Sequence, residues 1–356
     1  MIASTLKMMA GALALSMAVP GPASAQTALT LRDRLLVVSS TSTSRVTDLL
    51  ARTFAERYAD VRAPEMRAMP TARAMEVFCA GIGPETPDIV VSTRRMPAAM
   101  REVCGANGVE DIVEIQLGLG AVVLAARRGD PLPQLTSRQI YEAVAAERAG
   151  QDGFAPNAAA TWSQISGTLP ANQIRVLVPP RGNGTRQLFE DLVLEAGCRN
   201  IREIRLLFEA GFRRAKCVTM REDGRVVQVP GDDIASSLLN APAGTIGVTT
   251  LDEVFRSGGN LIALSLDGVM PTPASVASLD YDQTRTVYLY AKRQHARNQQ
   301  GVGVVRGIAE LLAEATSELA MGPAGYLINA GLIPLPPADR IAQRRIAERM
   351  TTINLR

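Results

Sequence analysis

The chain has 356 residues, 47% of them hydrophobic but only 4% aromatic, and a formal net charge of +3. That length accommodates two domains with separate cores, and so near-neutral a charge, without a basic stripe, excludes an ordinary nucleic-acid binder. No apolar run reaches the roughly 20 residues that a membrane span requires.

From the N-terminus, residues 1–25 carry Lys7, an apolar run Met8–Val19, the helix breakers Pro20-Gly21-Pro22, and Ala23-Ser24-Ala25 before Gln26. This is the pattern of a secretory signal peptide cleaved after Ala25, so the mature protein is expected to be soluble and periplasmic. No cysteine stands at the cleavage point, so nothing marks a lipoprotein.

Strands are expected at Leu35–Ser40, Asp88–Ser92, Ile115–Arg127, Ile174–Pro179, Val226–Val229, Thr245–Thr250, Leu261–Ser265 and Thr286–Lys292. They are mostly continuous Val, Ile and Leu runs, as in strands buried on both faces. Between them lie helical stretches. Arg45–Tyr58 places Val46, Leu49, Leu50 and Phe54 on one face, and Arg186–Ala196 does the same with Leu188, Phe189, Leu192 and Val193. Gly197 then reads as the glycine just past a helix end. Val304–Ala320 reads as one C-terminal helix, and the run around Arg340, Arg344 and Arg345 as a solvated helix face. Alternation of this kind implies an α/β fold with mostly parallel sheets flanked by helices.

All four cysteines lie in the mature part, and an even count in an oxidising compartment reads as disulfides. Cys79–Cys104 with Cys198–Cys217 is one of three possible connectivities, and it is the one expected because each pair falls within one predicted subdomain. There is no CxxC, and the only histidine, His295, reads as a surface residue after a strand. No metal and no cofactor are expected, nor is a histidine-activated nucleophile.

Three stretches run from a hydroxyl- or glycine-rich loop straight into an amphipathic helix. They are Ser39-Ser40-Thr41-Ser42-Thr43-Ser44 before Arg45–Tyr58, Thr71 before Ala72–Ala80, and Gly182-Asn183-Gly184-Thr185 before Arg186–Ala196. The first N–H groups of a helix lack intrahelical partners and the helix dipole adds positive charge there, so such points suit an oxyanion. In an α/β sheet these loops leave the carboxyl ends of strands, where ligands bind. Three of them in one exported chain imply an anion receptor.

The order of these pieces resembles the periplasmic phosphate-binding proteins of ABC transporters, within the two-lobed periplasmic binding protein superfamily. Leu36-Val37-Val38-Ser39-Ser40-Thr41 resembles that family's opening strand and loop. Met69-Pro70-Thr71 with Phe78-Cys79-Ala80-Gly81 is similar to its second loop and helix. Asp88-Ile89-Val90-Val91-Ser92-Thr93-Arg94 resembles its Asp-Ile-x-x-x-Ser-Arg stretch, and Trp162-Ser163-Gln164-Ile165 its Trp-x-x-Ile signature. Gly182-Asn183-Gly184-Thr185 stands where the family has Gly-Ser-Gly-Thr, and Ala243-Gly244-Thr245-Ile246-Gly247 resembles its later turn.

The resemblance implies a two-lobed fold of type II-like topology, with lobe one built from 26–117 and 287–356, lobe two from 118–286, and crossovers near Leu117–Ala126 and Thr286–Lys292. It implies an extracytoplasmic solute-binding protein, a monomer and no enzyme, that captures phosphate or a related oxyanion and delivers it to a membrane permease. A secreted phosphoesterase and an anion sensor without transport are the alternatives. Carried over residue by residue, the ligand would meet Thr41, Ser42, Thr43, Ser44, Thr71, Thr93, Arg94, Asn183, Gly184 and Thr185. Three positions depart from the family. Asn183 replaces a serine, Pro179 stands where many members place an anion-neutralising arginine, and Thr93 replaces a carboxylate that accepts the phosphate proton. Asp88, Asp232 and Asp233 are the nearest acids by pattern that could restore that acceptor.

Overall fold

The computed structural model describes residues 32–130, 134–150, 153–297 and 302–354, and the expected signal peptide at 1–25 lies outside them. The strands among the described residues are β1 (Arg34–Ser40), β2 (Arg62–Met69), β3 (Ile89–Ser92), β4 (Ile112–Arg127), β5 (Glu147–Gly150), β6 (Gly153–Pro156), β7 (Val176–Val178), β8 (Val226–Gln228), β9 (Ile246–Thr250), β10 (Leu261–Ala263) and β11 (Thr284–Lys292). All but β5 and β6 join in one path, β2-β1-β3-β11-β4-β9-β7-β8, with β10 also on β4.

That path has two parallel blocks. β1 pairs in parallel with β2 and β3, and β7 pairs in parallel with β8 and β9. The antiparallel pair β4/β11 joins them. The first part of β4, to Ala121, pairs β11, and the rest pairs β9 and β10. β4 thus belongs to both halves of a two-lobed α/β molecule, and each half has its own core. In the first half Leu35 and Val37 of β1 pack with Phe54, while Val38 faces the opposite layer with Phe78 and Tyr290. This alternation is the period-2 geometry of a strand covered on both faces. In the second half Val122 and Leu124 pack with Val176, Phe189 and Val248.

Helices α1 (Ser44–Arg57) and α2 (Thr71–Phe78) fall where the sequence places them, and α3 (Ala98–Ala106) and α4 (Ser137–Val144) follow β3 and β4. Cys79 caps the C-terminus of α2 and is bonded to Cys104 of α3, with the Cα atoms 4.3 Å apart. Cys198 is bonded to Cys217, with the Cα atoms 5.4 Å apart. Closing loops of this size stabilises a fold by about 3 kcal/mol per bridge.

The third predicted helix is longer than the sequence suggests. α5 (Gly184–Phe189) passes through a π segment, Glu190–Leu194, into α6 (Glu195–Arg199). Gly197 therefore lies inside a helix and not beyond its end. An ideal Cβ built on it would stand 2.2 Å from the Ser137 carbonyl oxygen, so glycine is required there for α4 and α6 to touch. Val304–Ala320 is likewise not one helix. Gly307 takes φ +99°, the helix runs only over Ile308–Ala315, and a second turn, Glu318–Met321, is capped anew by Ser317. The tail helix Pro337–Arg349 is not wholly solvated either: Arg340 is buried and donates to the Leu335 carbonyl at 2.7 Å.

His295 is not at the surface. It is fully buried, with Nδ1 2.7 Å from Asp88 Oδ1 and Nε2 accepting from the Gly83 N–H at 3.1 Å. No helix among the described residues is long and apolar enough to cross a membrane.

Candidate functional site

Three loops of the first half and one helix start of the second half meet at a single point. Thr41–Thr43 form a 3-10 turn between β1 and α1, Thr71 opens α2 after β2, and Thr93 follows β3. Gly184 opens α5 after β7. An ideal Cβ on Gly184 would lie 2.5 Å from Ser42 Oγ and 3.1 Å from both Thr71 Oγ1 and Thr93 Oγ1. Only a glycine lets the backbone come so close. Thr71 and Thr93 are 4% and 2% exposed, and neither Oγ1 has a hydrogen-bond partner. A buried hydroxyl left in that condition costs about 1–3 kcal/mol, and a negatively charged acceptor reaching it would remove that cost.

The remaining predicted residues divide by what they touch. Thr43 is structural: its hydroxyl lies 2.8 Å from Ser40 Oγ and reaches the Ser40 and Val91 carbonyls at 3.0 and 3.1 Å, tying β1 to β3. Ser44 donates to the Thr41 carbonyl at 3.0 Å. Asn183 is the cap of α5, its Oδ1 accepting from the Thr185 N–H at 2.8 Å and the Arg186 N–H at 3.4 Å. The exchange of serine for asparagine thus leaves the helix well capped. Thr185 is buried beside the cap without being the cap itself. Arg94 is not brought to the hydroxyls, because its Nη2 pairs with Asp191 at 3.3 Å.

Of the acids proposed from the sequence, neither Asp88 nor Asp233 meets the hydroxyl cluster. Asp88 precedes β3, at the other end of that strand from Thr93, where it accepts from the Leu36 N–H at 2.7 Å and from Arg32 and His295. Asp233 is exposed in a 3-10 turn, and the Asp232 side chain lies outside the described residues. Arg186 does not replace the arginine missing at Pro179. It is buried, paired with Glu190 at 2.7 Å, and donates to the Pro179 carbonyl at 3.2 Å.

Beside the hydroxyls, between the two halves, is a cavity of about 70 Å³, whose lining includes Thr41, Ser42, Asn183, Thr185, Asp252 and Arg285. That volume is ample for several water-sized groups. Arg285, on β11, was not among the predicted site residues. A signal was present, because period 2 places it on the same face as the buried Val287, Leu289 and Ala291. An arginine at an inward position of a buried strand asks for an anionic neighbour.

The profile of the PBP superfamily domain matches residues 22–318. The chain belongs to the PBP superfamily. Protein SphX from Synechococcus elongatus is 22% identical over 320 residues, 88% of this chain and 80% of that protein. Among solved structures, an ABC-type phosphate transport receptor from Vibrio cholerae matches with a TM-score of 0.58 and 16% identity, over 85% of this chain and 100% of that one. A phosphate-binding protein from Stenotrophomonas maltophilia matches with a TM-score of 0.60 and 14% identity, over 88% and 94%. These likenesses agree with the two-lobed fold read from the strand order. The Gly184 contact and the cavity both lie between the two halves.

Proposed function

We propose that this protein is an extracytoplasmic receptor that captures phosphate, or a closely related oxyanion, between its lobes and presents it to the permease of an ABC transporter. The reading rests above all on one observation: the Thr71 and Thr93 hydroxyls, buried and unpartnered, converge from separate loops on the N-terminal glycine of α5. Hydroxyls and helix-start N–H groups are donors suited to a tetrahedral oxyanion. Lobe one would comprise 26–117 and 287–356 and lobe two 118–286, with β4 and β11 carrying the chain between them and flexing as the cleft opens and closes. The ligand set would be Ser42, Thr71, Thr93, Gly184 and Thr185. The protein would act as a periplasmic monomer without catalysis. His295 is committed to Asp88 and Gly83 away from the cleft, so it cannot activate a nucleophile there.

Thr93 can donate or accept a hydrogen bond, whereas a carboxylate only accepts and repels a fully ionised anion. The receptor should therefore bind phosphate with modest discrimination against sulfate and arsenate. Thr93→Asp should sharpen the preference for the protonated anion and make it pH-dependent. Calorimetric titration of the dialysed protein with phosphate, sulfate, arsenate and small carboxylates tests both statements. Absence of heat with every anion overturns the receptor reading. Rejection of sulfate by several orders of magnitude in the unmodified protein overturns the selectivity.

A further inference from the structure

Arg285 is 8% exposed, and its Nε and Nη1 atoms are buried without a hydrogen-bond partner. Its cross-strand partner on β4 is Gly120. An ideal Cβ on Gly120 would stand 3.1 Å from Arg285 Nε, so the missing side chain leaves the slot in which the guanidinium lies. The slot opens on the cavity between the lobes, which Gly120, Arg285, Ser42 and Thr185 all line.

The neighbouring charges do not pair with this guanidinium. Asp252 is the closest acid in effect, but its Oδ1 accepts from Thr250 Oγ1 at 2.5 Å and its Oδ2 from Arg256 at 2.9 Å. Burial pushes Arg285 down to about 10, and Asp252 offsets only part of that. The side chain remains protonated at neutral pH. A buried cation without a partner is strongly unfavourable unless something else supplies the counter-charge.

We propose that Arg285 is an anion-binding residue of the cleft: from the crossover strand it supplies the positive charge that Pro179 does not. This rests on the oxyanion-receptor reading and extends it to a residue that neither the loops nor the helix starts contain. The guanidinium fork matches two oxygens of a tetrahedral anion, and a strand shared by the lobe junction holds it in place. Closure over the anion would then bring together hydroxyls from lobe one, the α5 start from lobe two, and a cation from between them.

The test is Arg285→Met and Arg285→Gln, each compared with the unmodified protein by calorimetry with inorganic phosphate and by thermal melting with and without it. The expected pattern is split. Without phosphate the Met variant melts as high as the unmodified protein or higher, because an unpaired buried charge is gone. With phosphate its dissociation constant rises roughly tenfold or more, since a charge-assisted contact is lost. The Gln variant, which keeps hydrogen bonding without charge, should also bind more weakly and with less dependence on salt. Binding by both variants equal to the unmodified protein overturns the proposal while leaving the receptor reading intact. So does a lowered melting temperature with unchanged affinity, which would mark a structural role. If the unmodified protein binds none of the anions, both readings fall together. Should the Met variant fail to fold, the Gln variant decides by the same criteria.

Discussion

Arg94 Nη2 lies 3.3 Å from Asp191 Oδ2, and this ion pair joins the loop after β3 to the helical run that begins at Gly184, across the cleft. Asp191 also holds Arg214 at 2.5 Å within its own half, so the carboxylate is anchored before Arg94 reaches it. The pair sits at the rim, with the two side chains 42% and 22% exposed. It links the loop after β3 to the helical run across from it.

Arg94→Ala should therefore weaken anion binding only mildly. An exposed pair contributes about 0.2–1 kcal/mol, which corresponds to no more than roughly fivefold in affinity. The loss should appear mainly in the dissociation rate and should be equal for every anion bound. Stopped-flow kinetics with phosphate measure it. A loss of a hundredfold would mean that Arg94 leaves Asp191 and binds the ligand.

Gly184→Ala addresses the closest approach of the two halves. The added methyl would meet Ser42 Oγ at 2.5 Å and two buried threonine hydroxyls at 3.1 Å. Overpacking of this kind costs about 1–3 kcal/mol. Because it is felt only where the halves meet, phosphate affinity should fall about tenfold or more while urea unfolding without ligand changes little. Unchanged affinity would show that closure does not bring Gly184 to the hydroxyls.

The cap and the cavity wall are separable in the same loop. Asn183→Ala removes the acceptor for the Thr185 and Arg186 N–H groups and should lower stability by about 0.5–2 kcal/mol. Thr185→Val leaves that cap in place and removes one hydroxyl from the cavity lining. It should affect phosphate affinity more than stability. Urea midpoints and dissociation constants on both variants form the comparison, and an equal loss of stability in the two would refute the division.

Lys292 gives the fold a pH dependence distinct from binding. It is fully buried, its Nζ donating to the Gly81 carbonyl at 2.6 Å and to Thr86 Oγ1 at 3.0 Å, near the Asp88–His295 pair. Burial pushes it down to about 7 from an ordinary 10.5, against the pull of Asp88. Between those values the unfolded chain holds a proton that the folded chain has lost, so stability rises with pH across that window. Burial lowers His295 below its ordinary 6.5 as well, which adds the same sign at lower pH. Lys292→Met should flatten the rise in urea midpoint between about pH 7 and pH 10.5. Parallel profiles for the variant and the unmodified protein would refute it.

Much of this molecule was legible in local pattern. The buried strands β1, β3, β4, β7, β9 and β11 announce themselves as aliphatic runs, α1 by Val46, Leu50 and Phe54, and the disulfides by cysteines within one subdomain. Each of these depends on residues close together in the chain. β2 was missed for the same reason: its sequence, Arg-Ala-Pro-Glu-Met-Arg-Ala-Met, lies on the sheet edge, where little is buried and Pro64 is tolerated. The hydroxyl loops were visible because Ser, Thr and Gly gather at three separate strand-to-helix turns, although capping and turn formation also use these residues, as Thr43 and Ser44 do.

What the amino-acid order determined by itself is therefore the alternation of strands and helices and the set of loops that could hold an anion. Tertiary structure decided which of those loops meet. Ser42, Thr71 and Thr93 reach Gly184 only because β1, β2 and β3 lie side by side and β7 sits across β4 from them. The same pairing turns Thr43 inward, gives Arg94 to Asp191, buries His295 on Asp88, and sets Arg285 opposite Gly120 beside the cavity. These are contacts between residues tens to hundreds of positions apart. Their partners are chosen by strand pairing and burial over the whole molecule, and no local period carries that information.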